Sequence, residues 1–261
     1  MGTQRIENGF TKNKTAFITY AMLGDPDREA SLEIMLSLQE AGADLLELGI
    51  PFSDPLADGP TIQAAGQRSL ANGTTLADCL QMVSELRGRG LTIPAVFMTY
   101  VNPIIAYGIE KFVADCAAVG LDGFIVPDLP PEEAGQMDAV CQKHDMALIY
   151  LLAPNSPADR IRLVVEKAHG FIYLVSLIGV TGTREELPKD LADFVKRVRK
   201  ETDKKLAVGF GIANGKQAGM VAHLADGVIV GSALVKLATG SKEQVYALAR
   251  EIRAGIDSAN F

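Results

Sequence analysis

The chain has 261 residues, 48% of them hydrophobic and 22% charged, an ordinary globular balance with enough length for one large closed core. A net charge of −7 with no basic stripe argues against nucleic acid or an anionic membrane as the main partner. The first fourteen residues, MGTQRIENGFTKNK, hold no apolar signal core, no apolar run reaches membrane-spanning length, and the three scattered cysteines (Cys79, Cys116, Cys141) suit buried free thiols in a reducing compartment, so the expected location is the cytoplasm.

In chain order, short apolar runs recur: TAFITYAM (15–22), DLLELGI (44–50), PAVFMTY (94–100), DGFIVPD (122–128), MALIYLL (146–152), GFIYLVS (170–176), KLAVGF (205–210) and DGVIVG (226–231). Between them lie stretches such as EASLEIMLSLQEAGA, KFVADCAAVG, EEAGQMDAVCQKH, ADRIRLVVEKAHG and KQAGMVAHLA, with apolar residues at helical spacing and often a Gly near the end. Strands that are apolar throughout are those covered on both faces, as in a parallel sheet wrapped by helices. About eight such units predict a closed (β/α)8 barrel, with an open doubly wound sheet as the alternative. No linker divides the chain, so residues 1–261 are expected to form one domain. Three cassettes, AGADLLELGI, VGLDGFIVPD and LADGVIVGS, share a helix end, an Asp and a buried strand, without a fixed period.

In a barrel of this kind the active site is built from the loops that follow the strands. The second run breaks the apolar rule. Alternation places Leu45, Glu47 and Gly49 on one face and Leu46, Leu48 and Ile50 on the other. The wholly apolar face suits helix packing, so Glu47 points into the barrel, where Gly49 leaves room for a ligand. A carboxyl there has a raised pKa and can give and take a proton near neutrality. It could equally be a structural glutamate held by a buried Arg or by backbone amides. Asp58 follows in a loop stiffened by Pro51, Pro55 and Pro60. That loop could hold its carboxyl over the site, or Asp58 could cap the helix that GPTIQAAGQRSL suggests. Asp54 cannot be ranked against it on composition.

Further along, VTG (180–182) has the look of a lid with Gly179 and Gly182 as hinges, or of a plain surface loop. GFG (209–211) and Gly231–Ser232 suggest an anion cradle after the last two strands, with GSALVKL opening a short helix; the bland alternative is tight turns needing positive φ. No lysine ends a strand as a Schiff base would need, and no His/carboxylate cluster has metal spacing. Cofactor-free carboxylate chemistry on a phosphorylated small molecule is the simplest reading.

LELGIPFSDPLADGPTIQ (46–63) resembles the signature of the tryptophan synthase alpha chain family. LGDP (23–26), MTYVNP (98–103), PDLP (127–130), GVTG (179–182), GFGI (209–212) and DGVIVGSALVK (226–236) extend the resemblance over nearly the whole chain. Thr19 departs from the Pro usual in the family, and Leu177–Ile178 make the lid more apolar than in many relatives. The resemblance implies a TIM barrel that cleaves indole-3-glycerol phosphate to indole and glyceraldehyde 3-phosphate by a retro-aldol reaction, with no metal or organic cofactor in this chain. It implies Glu47 and Asp58 as catalytic residues. Tyr20, Met98, Tyr100 and Phe210 match the indole pocket, Tyr173 a tyrosine near the glutamate, and Thr181 a lid threonine that closes on the aspartate. Gly182, Gly211, Gly231 and Ser232 match the phosphate cradle. The family usually pairs with a pyridoxal-phosphate beta chain as an αββα assembly. Asp54, Asn102, Pro103 and Pro130 match surfaces that meet that partner.

Overall fold

The computed structural model describes residues 2–12, 15–175, 189–209 and 211–259. Their strands are β1 (Ala16–Met22), β2 (Leu45–Gly49), β3 (Ala95–Met98), β4 (Gly123–Ile125), β5 (Ala147–Ile149), β6 (Leu151–Leu152), β7 (Phe171–Val175), β8 (Lys205–Gly209) and β9 (Gly227–Val230). All the pairings between them are parallel, in the spatial order β5-β4-β3-β2-β1-β9-β8-β7-β6. The two ends of that order, β5 and β6, are consecutive in the chain and parted only by Tyr150. They are two segments of one barrel strand: the first pairs with β4, the second with β7, and Tyr173 N–H donates to the Tyr150 carbonyl at 3.0 Å. The sheet therefore closes as the eight-stranded barrel expected from the apolar runs.

Strand alternation sorts the core into two layers. Ile18, Leu45, Val96, Ile125, Phe171 and Ile229 pack inside the barrel, while Leu46, Leu48, Ile50, Phe97 and Phe124 pack outward against the helices. The helix Gly2–Lys12, which the sequence reading did not single out, closes the bottom. Its Ile6 and Phe10, one turn apart, enter the interior layer, and Phe10 meets Phe171 with ring centroids 5.3 Å apart.

The same end carries a repeated polar lock, and it gives the three Asp cassettes a physical meaning. Asp44 donates its N–H to the Phe17 carbonyl (2.7 Å) while its Oδ2 accepts from the Phe17 N–H (2.9 Å). Asp122 clasps Ala95 in the same way (2.9 and 2.8 Å), and Asp226 clasps Leu206 (2.9 and 2.9 Å). Each Oδ2 also meets a guanidinium: Arg253 at 3.0 Å, Arg87 at 2.8 Å, and Arg199. A buried carboxylate is tolerated when it is both paired and hydrogen-bonded. Polar stability devices thus sit at the strand starts, leaving the strand ends for chemistry.

Candidate active site

Glu47 lies in β2 beside Tyr20 of β1 and Val96 of β3. Its side chain faces the barrel mouth and is buried, with the residue 1% exposed. Oε1 has no hydrogen-bond partner, and no ion pair to Glu47 exists among the described residues. The structural alternative, a glutamate neutralised by a buried Arg, is therefore not what the fold builds. Burial disfavours the charged form and pushes the carboxyl up to about 8.

Asp58 is half-buried in the loop after β2. It does not cap the following helix: Pro60–Ala71 has Gly59 at its N-cap, with no side-chain hydrogen bond, and Pro60 at its first position. The Asp58 backbone is fixed instead, its N–H donating to the Pro55 carbonyl at 3.2 Å and its carbonyl accepting from Gln63 Nε2 at 2.8 Å. Its carboxyl is raised to about 6 by burial, against the lowering effect of a hydrogen bond from Tyr100.

Both carboxyls line one cavity of about 560 Å3, a size typical of small-ligand sites. Tyr20, Met98 and Tyr173 share its wall. Burial, reinforced by the two nearby carboxyls, holds both phenols well above their ordinary pKa, so they remain protonated where Glu47 and Asp58 titrate. The role first read for Gly49 needs correction. A Cβ there would stand 2.1 Å from the Tyr20 hydroxyl oxygen, so the space is taken by the phenol and not left for a ligand. Gly209 repeats the device: its Cβ would lie 2.6 Å from the Tyr173 hydroxyl. Each tyrosine leans across a glycine of the neighbouring strand, and the pair flanks the space above Glu47.

At the other side of the cavity are Gly211, Gly231 and Ser232. Gly211 has φ +45°, the left-handed region that favours glycine. Gly231, at φ −121°, does not need it; there a Cβ would press to 3.3 Å on Tyr20 Cβ. The helix Ser232–Ala238 begins here, and its first N–H groups have no intrahelical acceptor. Ser232 is exposed to the cavity. Thr181, Gly182 and Phe210 lie outside the described residues, as does the rest of the expected lid.

One expected wall residue is elsewhere. Tyr100 does not line the cavity; it is buried behind the β2 loop, 4% exposed. Ile62, Pro127, Leu151 and Ile229 do line it and were not singled out from sequence. Strand alternation could have supplied Leu151 and Ile229. Asp54 and Asn102 are exposed, and Pro103 and Pro130 are half-buried, all in segments that follow β2, β3 and β4 on the same face as the cavity. Leu56 (91% exposed) and Ile105 (58%) add two apolar side chains to those segments. Among the described residues no group of three or more His, Cys, Asp or Glu could hold a metal, and no helix is long and apolar enough to cross a membrane.

A buried, unpaired glutamate facing an aspartate across the mouth of a barrel can be placed among known proteins. The family described as tryptophan synthase alpha chain matches residues 6–257. The chain belongs to that family. The tryptophan synthase alpha chain of Chloroflexus aggregans is 50% identical over 86% of this chain and 84% of its own length. That of Methanosarcina acetivorans is 47% identical over 99% and 96%. Among solved structures, a chain of Mycobacterium tuberculosis tryptophan synthase in an open form superposes with a TM-score of 0.90 at 38% identity, covering 97% of this chain and 98% of that one. A chain of the Pyrococcus furiosus tryptophan synthase complex gives 0.84 at 37% identity, over 92% and 98%. As an alpha-chain member, the protein is an enzyme subunit of tryptophan biosynthesis built on a TIM barrel, as the signature at 46–63 implied.

Proposed function

We infer that the chain cleaves indole-3-glycerol phosphate to indole and glyceraldehyde 3-phosphate. The observation that carries this reading is Glu47: a carboxyl pushed up to about 8, with an unpaired oxygen, in the same cavity as Asp58. Protonated near neutrality, Glu47 gives its proton to indole C3. The ring nitrogen then bears positive charge, which the Asp58 carboxylate stabilises while accepting the N–H hydrogen bond. The Glu47 carboxylate next takes the proton of the side-chain hydroxyl next to the bond that breaks. The carbon–carbon bond opens, its electron pair restores the aromatic ring, and the hydroxyl carbon becomes the aldehyde. One residue has moved one proton from oxygen to carbon and is regenerated, which a carboxyl tuned near the working pH does best.

Tyr20, Met98 and Tyr173 supply a flat apolar slot for the ring, with Phe210 as a further wall. The N–H groups at Ser232, with Gly182, Gly211 and Gly231, would hold the phosphate. Thr181 would close onto Asp58 and exclude water. No cofactor is assigned to this chain. We assign a pyridoxal-phosphate beta chain as partner, in an αββα assembly in the cytoplasm. The face holding Asp54, Leu56, Asn102, Pro103, Ile105 and Pro130 supports that pairing, since exposed Leu and Ile beside prolines fit a docking surface better than a solvated one.

Indole release from indole-3-glycerol phosphate by the purified chain, with and without a tryptophan synthase beta chain, tests this. Weak release that rises sharply with the partner supports the subunit reading. Strong release by the chain alone points to a stand-alone lyase. No release in either condition overturns the reaction and reopens a phosphosugar isomerase.

A further inference from the structure

Tyr100 is the wall residue that the fold withdraws from the wall. It ends the segment after β3, at the N-cap of the helix Val101–Tyr107. Its hydroxyl accepts the Ala57 N–H at 3.0 Å, one residue before Asp58, and lies near enough to the Asp58 carboxyl to oppose the rise that burial gives it. Its ring packs on Phe52, with centroids 5.4 Å apart. Two points of the β2 loop, Phe52 and Ala57, therefore converge on one side chain from the next βα unit, and Asp58 is the next residue along. The other bonds of Asp58, to Pro55 and from Gln63, involve only its backbone. A phenol has one hydrogen. Accepting from Ala57 uses a lone pair and leaves that hydrogen for the carboxylate. Burial and the nearby Asp58 charge raise the phenol's pKa, so the hydrogen is retained.

We propose that Tyr100 is a positioning residue for Asp58: its hydroxyl, anchored on the Ala57 amide, donates its hydrogen to the Asp58 carboxylate and fixes that carboxylate's orientation for the indole N–H. This rests on the role given to Asp58 above. A phenol that only filled space behind the loop would act through its ring. A positioning phenol acts through its oxygen, and Tyr100→Phe removes the oxygen alone.

The test combines kinetics with a direct titration. For wild type and Tyr100→Phe, kcat/KM is measured from pH 5 to 9 with the beta chain present, and the Asp58 carboxyl carbon is followed by NMR over the same range. The expected result is a kcat at least about tenfold lower, a smaller change in KM, and an acid limb moved up by about one pH unit, as loss of a hydrogen bond to a charged group implies. The Asp58 resonance should move with the limb. In the unmodified chain, the Tyr100 ring carbon bearing oxygen should show an inflection at the same pH as Asp58. An Asp58 titration unchanged in Tyr100→Phe, or no shared inflection in the unmodified chain, overturns the proposal. Wild type that releases no indole sinks the reaction instead; the two NMR titrations still decide the Tyr100–Asp58 link.

Discussion

Glu47→Gln should abolish indole release and, at the same time, change how stability depends on pH. The carboxyl has an ordinary pKa of 4.5 and is pushed up to about 8 in the fold by burial. Below pH 4.5 it is protonated in both the folded and unfolded chains and contributes no pH dependence. Between the two values the unfolded chain releases the proton while the folded chain keeps it. Stability therefore falls as pH rises, by about 1.4 kcal/mol per pH unit, to a total on the order of 5 kcal/mol above pH 8. Gln cannot ionise. Whatever constant cost its buried amide carries, the stability difference between variant and wild type should grow in the variant's favour across this window. Urea unfolding midpoints at half-unit steps from pH 4.5 to 9 would show it, with the gap between the two proteins widening by on the order of 1 M. A gap that stays flat would mean that Glu47 ionises normally in the folded chain, and the proton-shuttle argument would fail even if Glu47→Gln were inactive. The experiment also puts a value on the stability sacrificed for a reactive carboxyl.

The kcat/KM profile should be bell-shaped. It falls below about pH 6 as Asp58 gains a proton and above about pH 8 as Glu47 loses one; a profile flat from 5 to 9 would remove both assignments. Asp58→Asn should lower kcat by about 100-fold or more with the fold intact, because an amide cannot stabilise the ring's positive charge; unchanged turnover would return Asp58 to a loop role. Ser232→Asp should raise KM by repelling the phosphate, checked with inorganic phosphate as a competitor, and an unchanged KM would displace the cradle. Arg253→Met should cost about 3 kcal/mol, read from urea midpoints, since it leaves the buried Asp44 carboxylate without its 3.0 Å partner. A neutral result there would mean that Asp44 does not depend on Arg253.

The barrel was legible because strands covered on both faces must be apolar at every position, so each appears as a continuous run. Glu47 was legible for the same reason, as the one charge inside such a run. The helix Gly2–Lys12 was not, because only Ile6 and Phe10 carry it into the interior layer and an otherwise polar segment hides two apolar contacts. Tyr100 was placed in the indole pocket because it matched a family motif at a strand's end. Whether such a side chain enters the cavity or turns behind a loop depends on how the proline-rich segment folds over it, which no periodicity encodes. Gly49 was read as empty space and Gly209 as part of an anion cradle, since nothing along one strand announces that a tyrosine two residues down its neighbour will lean across. The Gly211 turn needs positive φ, as the bland alternative for the cradle said, while Gly231 needs closeness to Tyr20.

The three Asp locks at the barrel floor bear on how the strands find their alignment. Inside–outside alternation distinguishes a correct pairing from one slipped by a single residue, because that slip turns the apolar face outward. It is blind to a slip of two, which keeps every side chain on its proper face. Asp44, Asp122 and Asp226 each grip both backbone groups of a single residue on the preceding strand, Phe17, Ala95 and Leu206. A slip of two would leave a buried carboxylate and its arginine facing the wrong amide. These aspartates therefore fix absolutely what hydrophobicity fixes only as odd or even, and they set the height at which Glu47 arrives beside Tyr20.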